Sequence, residues 1–209
     1  MILSNIILVA LAYLLGSIPS AVWIGKRFYN IDVREHGSGN AGATNTLRVL
    51  GKKAGIPVLV IDALKGYIAV LLAAYTGYTP HSTSYINFQL VLGTAALLGH
   101  IFPVFASFRG GKGIATLLGI TIAVSPVASA ISIAVFLIVF LSFSYVSLGS
   151  MIAAVVYPIS IIVILKTTAL SLIVFSMLVA ILVVVTHKKN IERLLKNEEP
   201  KVKLFKPKE

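Results

Sequence analysis

Residues 112–143 read KGIATLLGITIAVSPVASAISIAVFLIVFLSF, and this run decides the fold. After Lys112 it carries no charge. A helix that crosses a bilayer needs roughly 20 mostly apolar residues, so the run is too long for one crossing. Ser125-Pro126 sits near its middle. Proline lacks the N–H that a continuing helix needs, and it disfavours helical geometry in the residue before it. The reading is therefore two helices, 112–124 and 126–143. The first is short for a full crossing, so it is expected to tilt or to pack against protein rather than lipid.

Composition says the same of the whole chain. Of 209 residues, 57% are hydrophobic and 12% charged, where a soluble domain carries about 25% charged residues. That excludes an ordinary soluble protein and a disordered one. Cysteine is absent, which excludes disulfides, zinc-thiolate sites, Fe–S clusters and cysteine nucleophiles. The formal charge is +11. In a membrane protein such an excess belongs first to the cytoplasmic face, and nucleic acid is not an expected partner.

Five further apolar runs, 2–25, 54–77, 86–107, 145–165 and 167–187, bring the spans to seven. No basic residue precedes the first, and it is long for a signal peptide, so it reads as a span with its N-terminus outside. The cytoplasmic segments are then 26–53, 108–111 with its flank, 142–145 and 188–209. Of the 18 Lys+Arg, only Lys65, inside a span, and Lys166, in an outer loop, fall elsewhere. Fusing 112–143 into one span and shortening the C-terminal region gives a five-helix alternative that fits this bias less well. The expected fold is an all-α integral membrane protein with seven transmembrane helices, N-terminus outside and C-terminus cytoplasmic. Residues 1–187 are expected to form the seven-helix membrane domain. Residues 188–209 form a basic tail that starts as a helix over 190–196 and then lies on the anionic inner leaflet.

The segments unlike membrane filler all fall on the cytoplasmic side. Residues 36–48 read HGSGNAGATNTLR. Glycines let backbone N–H groups approach an anion, Ser38, Asn40 and Asn45 add side-chain donors, and Arg48 offers a planar fork for phosphate. The spacing Gly37-x-Gly39-x-x-Gly42 matches a dinucleotide fingerprint, but it follows a charged loop rather than a strand, so that reading fails. Gly110-Gly111-Lys112-Gly113 opens a helix, where free N–H groups, the helix dipole and a lysine favour phosphate. It is not a nucleotide-binding P-loop, because Gly113 stands where Ser or Thr would be and Ala106 where the first glycine would be.

Four other features complete the set. His187 and Asn190 are three apart, so on one helix they would share a face and meet one substrate oxygen. Ser147 either caps a helix or reaches the substrate. His100 reads as a structural, hydrogen-bonded histidine. Asp62 and Lys65, three apart inside a span, read as a mutual ion pair, with a substrate role as the alternative. The His-x4-Asp pair of many acyltransferases does not occur at any of the four histidines.

Together these words resemble the bacterial acyl-phosphate:glycerol-3-phosphate acyltransferase family, PlsY. The likeness runs from Tyr13-Leu14-Leu15-Gly16-Ser17-Ile18-Pro19, through Gly37–Asn45, Asp62-Ala63-Leu64-Lys65-Gly66 and Gly110–Gly113, to His187 and Asn190-Ile191. The resemblance implies a seven-helix enzyme of the bacterial cell membrane with its active site on the cytoplasmic face. It implies transfer of a fatty acyl group from acyl phosphate to glycerol 3-phosphate, giving lysophosphatidic acid and phosphate early in phospholipid synthesis. The expected partners are those two substrates and membrane lipid, with no cofactor, no metal and a monomeric state. His187, Asn190 and Ser38 are the expected catalytic residues. Arg48, Lys112, Asn40, Asn45, Gly110, Gly111, Gly113 and Ser147 are the expected substrate and phosphate ligands. Whether His187 acts as a base or only orients the attacking hydroxyl stays open. A transporter would show inverted repeats and midplane sites, and here only Asp62–Lys65 leans that way. A scaffold recruiting partners through the basic tail would leave the glycine-rich loops unexplained.

Overall fold

A break at Pro19 shapes the first part of the chain. In the computed structural model, which describes residues 2–202, α1 (Ile2–Gly16) ends there and α2 (Ser20–Tyr29) leaves at 41°. The 2–25 span expected from hydropathy is thus two helices, because Pro19 has no N–H to continue the ladder. The described residues form helices and connecting loops. After α2 come α3 (Ala43–Leu50), α4 (Lys52–Leu71), α5 (Thr83–Ile101), α6 (Ile114–Val124), α7 (Pro126–Phe143), α8 (Val146–Ile159), α9 (Leu170–Thr186) and α10 (Lys188–Leu195). They divide into two compact units, Met1–Pro126 and Val127–Glu209.

In the first unit, two helix pairs touch backbone to backbone. A Cβ on Gly16 would collide with the Ala96 carbonyl, and one on Gly99 with the Tyr13 carbonyl, so α1 and α5 lie in direct contact. Gly66 and Gly119 do the same for α4 and α6 against Thr116 and Ala63. Small residues at such crossings let membrane helices gain dispersion contacts without a hydrophobic driving force. Leu8, Ala12, Ala69, Phe88 and Leu92 fill the core, while Ile2, Leu3, Ile56 and Ile68 stand exposed, as a lipid-facing surface requires. α5 stops at Ile101, earlier than the expected 107, because Pro103 disfavours helix in the residue before it. α6 has 11 residues, about 16 Å at 1.5 Å per residue, against a hydrocarbon core of about 30 Å. Thr116, Leu117, Ile120 and Thr121 on it are buried, so it packs on protein.

In the second unit, α7 begins at the proline that the sequence marks as a break. α8 carries Pro158 near its end and runs on as a π turn, Ser160–Ile164. α9 and α10 bend by 56° at His187. The described part of the basic tail turns back on the protein. The Val202 N–H donates to the Ser144 carbonyl at 2.9 Å, and the Lys201 ammonium lies 5.5 Å from the Tyr145 ring centroid. This departs from a tail spread on the leaflet. Lys203, Lys206 and Lys208 lie outside the described residues.

Among the described residues, four helices, with their short extensions, are long and apolar enough to cross a bilayer alone: Lys52–Tyr75, Thr83–Ala106, Pro126–Phe143 and Val146–Ile164. Two more crossings arise if α1 with α2, and α9 with α10, each count as one bent span.

Candidate active site

The first glycine-rich loop is anchored from its upstream side. Asp32 caps the 3-10 turn Val33–Glu35 by accepting the Arg34 N–H at 3.0 Å. Its carboxylate also takes Arg34 Nε at 2.9 Å and Nη2 at 2.7 Å, a bidentate pair, with Lys26 Nζ at 3.2 Å. The Arg34 guanidinium holds the Asp32 carboxyl well below the usual carboxylate range, and Asp32 in turn raises Arg34. The same guanidinium donates through Nη1 to the carbonyls of Ala106 at 2.9 Å and Arg109 at 3.4 Å. Arg34 thereby ties the first loop to the second.

Ser38 sits between Gly37 and Gly39, both in left-handed backbone with φ of 61° and 71°. Such a turn needs residues without a Cβ. Asn45, in the first turn of α3, folds over the loop. Its Oδ1 accepts the Ser38 N–H at 2.8 Å, and its Nδ2 donates to the carbonyls of Val33 at 2.8 Å and His36 at 3.0 Å. The expectation that Asn45 offers its amide to phosphate is therefore revised: the amide is buried and engaged by the loop backbone, so Asn45 shapes the turn that presents Ser38. Ser38 and Arg48 are both exposed, and Asn40 is half-buried beside Gly42.

The second loop differs from expectation in its backbone donors. The Gly110 N–H donates to the Ile101 carbonyl at 3.1 Å and the Gly111 N–H to the His100 carbonyl at 3.3 Å. These two N–H groups satisfy the open carbonyl end of α5 and do not point to an anion. Gly111 is needed for close approach: a Cβ there would collide with His100 Nε2 and come within 2.9 Å of the Ala41 carbonyl oxygen. The two glycine-rich loops thus meet at Gly111 and Ala41. Gly113, at φ 79°, is the N-cap of α6 and directs the half-buried Lys112 off the helix start.

Below these loops the buried Asp62 and Lys65 pair at 2.9 Å, as their spacing suggested. His100 is buried, with Nδ1 3.1 Å from Thr116 Oγ1.

In the second unit, His187 closes α9 and Asn190 lies in the first turn of α10. The bend between the two helices replaces the single helix face expected for the pair. They are linked instead by the Asn190 N–H donating to the His187 carbonyl at 2.8 Å. His187 Nδ1 lies 2.7 Å from the Val183 carbonyl. A carbonyl only accepts, so Nδ1 carries a proton. Ser147 does not cap α8, whose cap position is Tyr145. Its hydroxyl donates to Glu199 Oε1 at 2.7 Å, and Asn190 Nδ2 donates to the same oxygen at 2.7 Å. Arg193 Nε donates to Glu199 Oε2 at 2.7 Å. Burial alone would push the Glu199 carboxyl up, but the donors Ser147, Asn190 and Arg193 outweigh it and hold it below the ordinary glutamate value.

Sequence reasoning passed over Glu199 and the Asp32–Arg34 clamp. A carboxylate pair, Glu198-Glu199, inside an otherwise basic tail was the available signal for the first.

The family described as Glycerol-3-phosphate acyltransferase matches residues 6–197. Similar proteins carry the same name. One from Listeria monocytogenes is 45% identical over 97% of this chain and 99% of its own. One from Bacillus anthracis, Glycerol-3-phosphate acyltransferase 3, is 46% identical over 96% of both chains. One from Staphylococcus aureus is 41% identical over 95% of this chain and 98% of its own. Two crystal structures of PlsY, an integral membrane glycerol 3-phosphate acyltransferase, superpose over 96% of both chains. The glycerol 3-phosphate form has a TM-score of 0.83 at 38% identity, and the lysophosphatidic acid form 0.80 at 37%. With its helices, its apolar exterior and its two glycine-rich loops in contact, this chain belongs to the glycerol-3-phosphate acyltransferase family of integral membrane enzymes.

Proposed function

We propose that this acyltransferase moves a fatty acyl group from acyl phosphate to glycerol 3-phosphate, releasing lysophosphatidic acid and inorganic phosphate. The glycerol hydroxyl oxygen bonds to the acyl carbon, the bond from that carbon to the bridging oxygen of the mixed anhydride breaks, and the hydroxyl proton ends on the departing phosphate. The observation that carries this reading is the contact between the two basic, glycine-rich loops, which suits an enzyme whose substrates both bear phosphate. Arg48, Lys112, Asn40 and Ser38 bind the phosphates, with Gly110, Gly111 and Gly113 giving the second loop its path. Asn45 positions Ser38. Ser147 acts through Glu199, which orients Asn190. His187 and Asn190 orient or polarise the attacking hydroxyl. Acyl phosphate is already activated, so orientation and charge stabilisation suffice without a covalent nucleophile, cofactor or metal.

The membrane arrangement belongs to the same proposal. Seven crossings with the N-terminus outside, α6 being the short one, put the motif loops and the C-terminus in the cytoplasm, at the bacterial inner membrane. The distribution of Lys and Arg supports this. The enzyme works as a monomer, with 1–187 as catalytic domain and 188–209 as a basic tail whose Glu199 supports Asn190.

Purified enzyme given palmitoyl phosphate and glycerol 3-phosphate should release inorganic phosphate only when both are present. Lys112→Ala should abolish that release. Full turnover in the variant would sink the phosphate role of the loop. A flat rate profile between about pH 5.5 and 8, where histidine titrates, would exclude His187 as general base and leave it as an orienting group.

A further inference from the structure

Beneath the Gly110–Gly113 loop lies a buried polar cluster that no step above uses. Four helical segments supply it: the break after α1, the middle of α4, the last turn of α5 and the first turn of α6. Asp62 Oδ1 accepts the Ser20 hydroxyl at 2.8 Å and pairs with Lys65 Nζ. Lys65 Nζ also donates to the Ile18 carbonyl at 2.7 Å, the carbonyl exposed by the Pro19 break. His100 presents Nδ1 to this cluster, 3.1 Å from Thr116 Oγ1 and 3.7 Å from Asp62 Oδ1. All five side chains are buried. Ionisable groups at such depth are costly and call for a reason beyond packing.

The reason lies on the other edge of the imidazole. A Cβ on Gly111 would collide with His100 Nε2, so the ring edge forms the seat of that glycine. The Gly111 N–H also donates to the His100 carbonyl. A ring held by dispersion alone would rock about its χ2, which is a broad torsion. The Thr116 hydroxyl on the Nδ1 side fixes the plane and hence the distance of Nε2 from the loop. Glycines bring little stiffness of their own, so the loop takes its position from what it rests on.

We propose that His100 is a positioning residue for the acyl transfer: its imidazole, pinned by the Thr116 hydroxyl, fixes the seat of Gly111 and thereby the reach of Lys112 toward substrate phosphate. This rests on the phosphate-binding reading of the loop.

The test is steady-state kinetics with palmitoyl phosphate and glycerol 3-phosphate each varied in turn. His100→Asn keeps a polar group at the Nδ1 position and withdraws the edge that meets Gly111. His100→Gln restores a polar group at the Nε2 position. His100→Asn should raise KM for one of the two substrates by about tenfold, equal to about 1.4 kcal/mol, with kcat nearly unchanged. His100→Gln should bring that KM most of the way back. Thr116→Val, which frees the ring without removing it, should raise the KM for the same substrate to a smaller degree, and it serves if His100→Asn fails to fold. Unchanged KM values in folded His100→Asn or Thr116→Val would overturn the proposal. So would an equal fall in kcat in the Asn and Gln variants, which is what a merely structural role predicts. Lys112→Ala run alongside separates the two readings. If it turns over fully, the phosphate loop itself fails. If it is impaired while His100→Asn matches the wild type, only the positioning role fails.

Discussion

Replacing Asp62 by Asn should destabilise the enzyme far more than replacing both Asp62 and Lys65. The carboxylate is 1% exposed and the lysine 4%, with Nζ and Oδ1 2.9 Å apart. At an effective dielectric of about 20, two unit charges at that distance attract by roughly 6 kcal/mol. Taking both ions out of water costs several kcal/mol each, so the pair comes close to break-even against an apolar pair of the same size. Asp62→Asn keeps an oxygen for the Ser20 hydroxyl but leaves the Lys65 ammonium buried with the Ile18 carbonyl and no counter-charge. That should cost about 3–5 kcal/mol. Adding Lys65→Met removes the stranded charge, and the double variant should recover all but about 1 kcal/mol. Reversible unfolding in mixed micelles, followed by circular dichroism over a denaturing-detergent titration, reads all four corners of the cycle. A single variant that loses less than about 1 kcal/mol, or a double variant no more stable than the single one, would refute the account of the pair.

Four other outcomes follow from the same geometry. Glu199 has a lowered folded pKa, so its contribution is full above the ordinary value of 4.5 and is lost as pH falls through the folded value. Glu199→Gln should cost about 2 kcal/mol at neutral pH, since its new amide meets the Arg193 Nε–H, and the gap to wild type should close in melts taken at progressively lower pH below 4.5. Asn45→Ala should lower stability by about 2–3 kcal/mol through three lost hydrogen bonds and reduce turnover in the fraction that stays folded, as measured by phosphate release. Gly51→Ala, at φ 81° and ψ −175° with open space around it, should cost about 1–3 kcal/mol of backbone strain and leave turnover intact. Gly113→Ala at φ 79° adds a collision with Leu97 and should also impair turnover, because it opens α6 beside Lys112.

What could be read in advance depended on whether a feature is local. Ser125-Pro126 marks a helix break by itself, and the structure starts α7 at Pro126. Asp62 and Lys65 are one helical turn apart, so their pairing needs no tertiary information. Pro19 was equally local, yet a hydropathy window counts apolar residues and not missing N–H donors, so the 2–25 span looked continuous. Donor counting failed in the opposite way at the loops. The N–H groups of Gly110 and Gly111 and the amide of Asn45 are real donors, but their acceptors are the carbonyls of His100, Ile101, Val33 and His36. Those acceptors become visible only when α5 ends beside the second loop and α3 folds over the first. Glu199 reaches Ser147 across 52 residues of chain, a distance at which no spacing rule operates.

The placement of glycine ties the helix packing to the proposed chemistry. Gly16 with Gly99, and Gly66 with Gly119, bring helices of the first unit into backbone contact, where a shift of either helix meets a carbonyl rather than a soft side chain. Both glycine-rich loops hang from the ends of these helices: the second joins α5 to α6, and the first is held to it by Arg34 and by the approach of Gly111 to Ala41. An activated acyl donor asks its enzyme chiefly for alignment, and effective molarity falls off with misplacement on the scale of 1 Å. Flexible glycine loops would be poor aligners if they floated. Here they are pinned: Asn45 and Arg34 bind carbonyls of the loops, and Gly111 donates to the His100 carbonyl at the end of α5. Close packing and loop flexibility are thus not in conflict in this fold: the second loop, proposed to bind phosphate, takes its position from the end of α5, which Gly16 and Gly99 hold against α1.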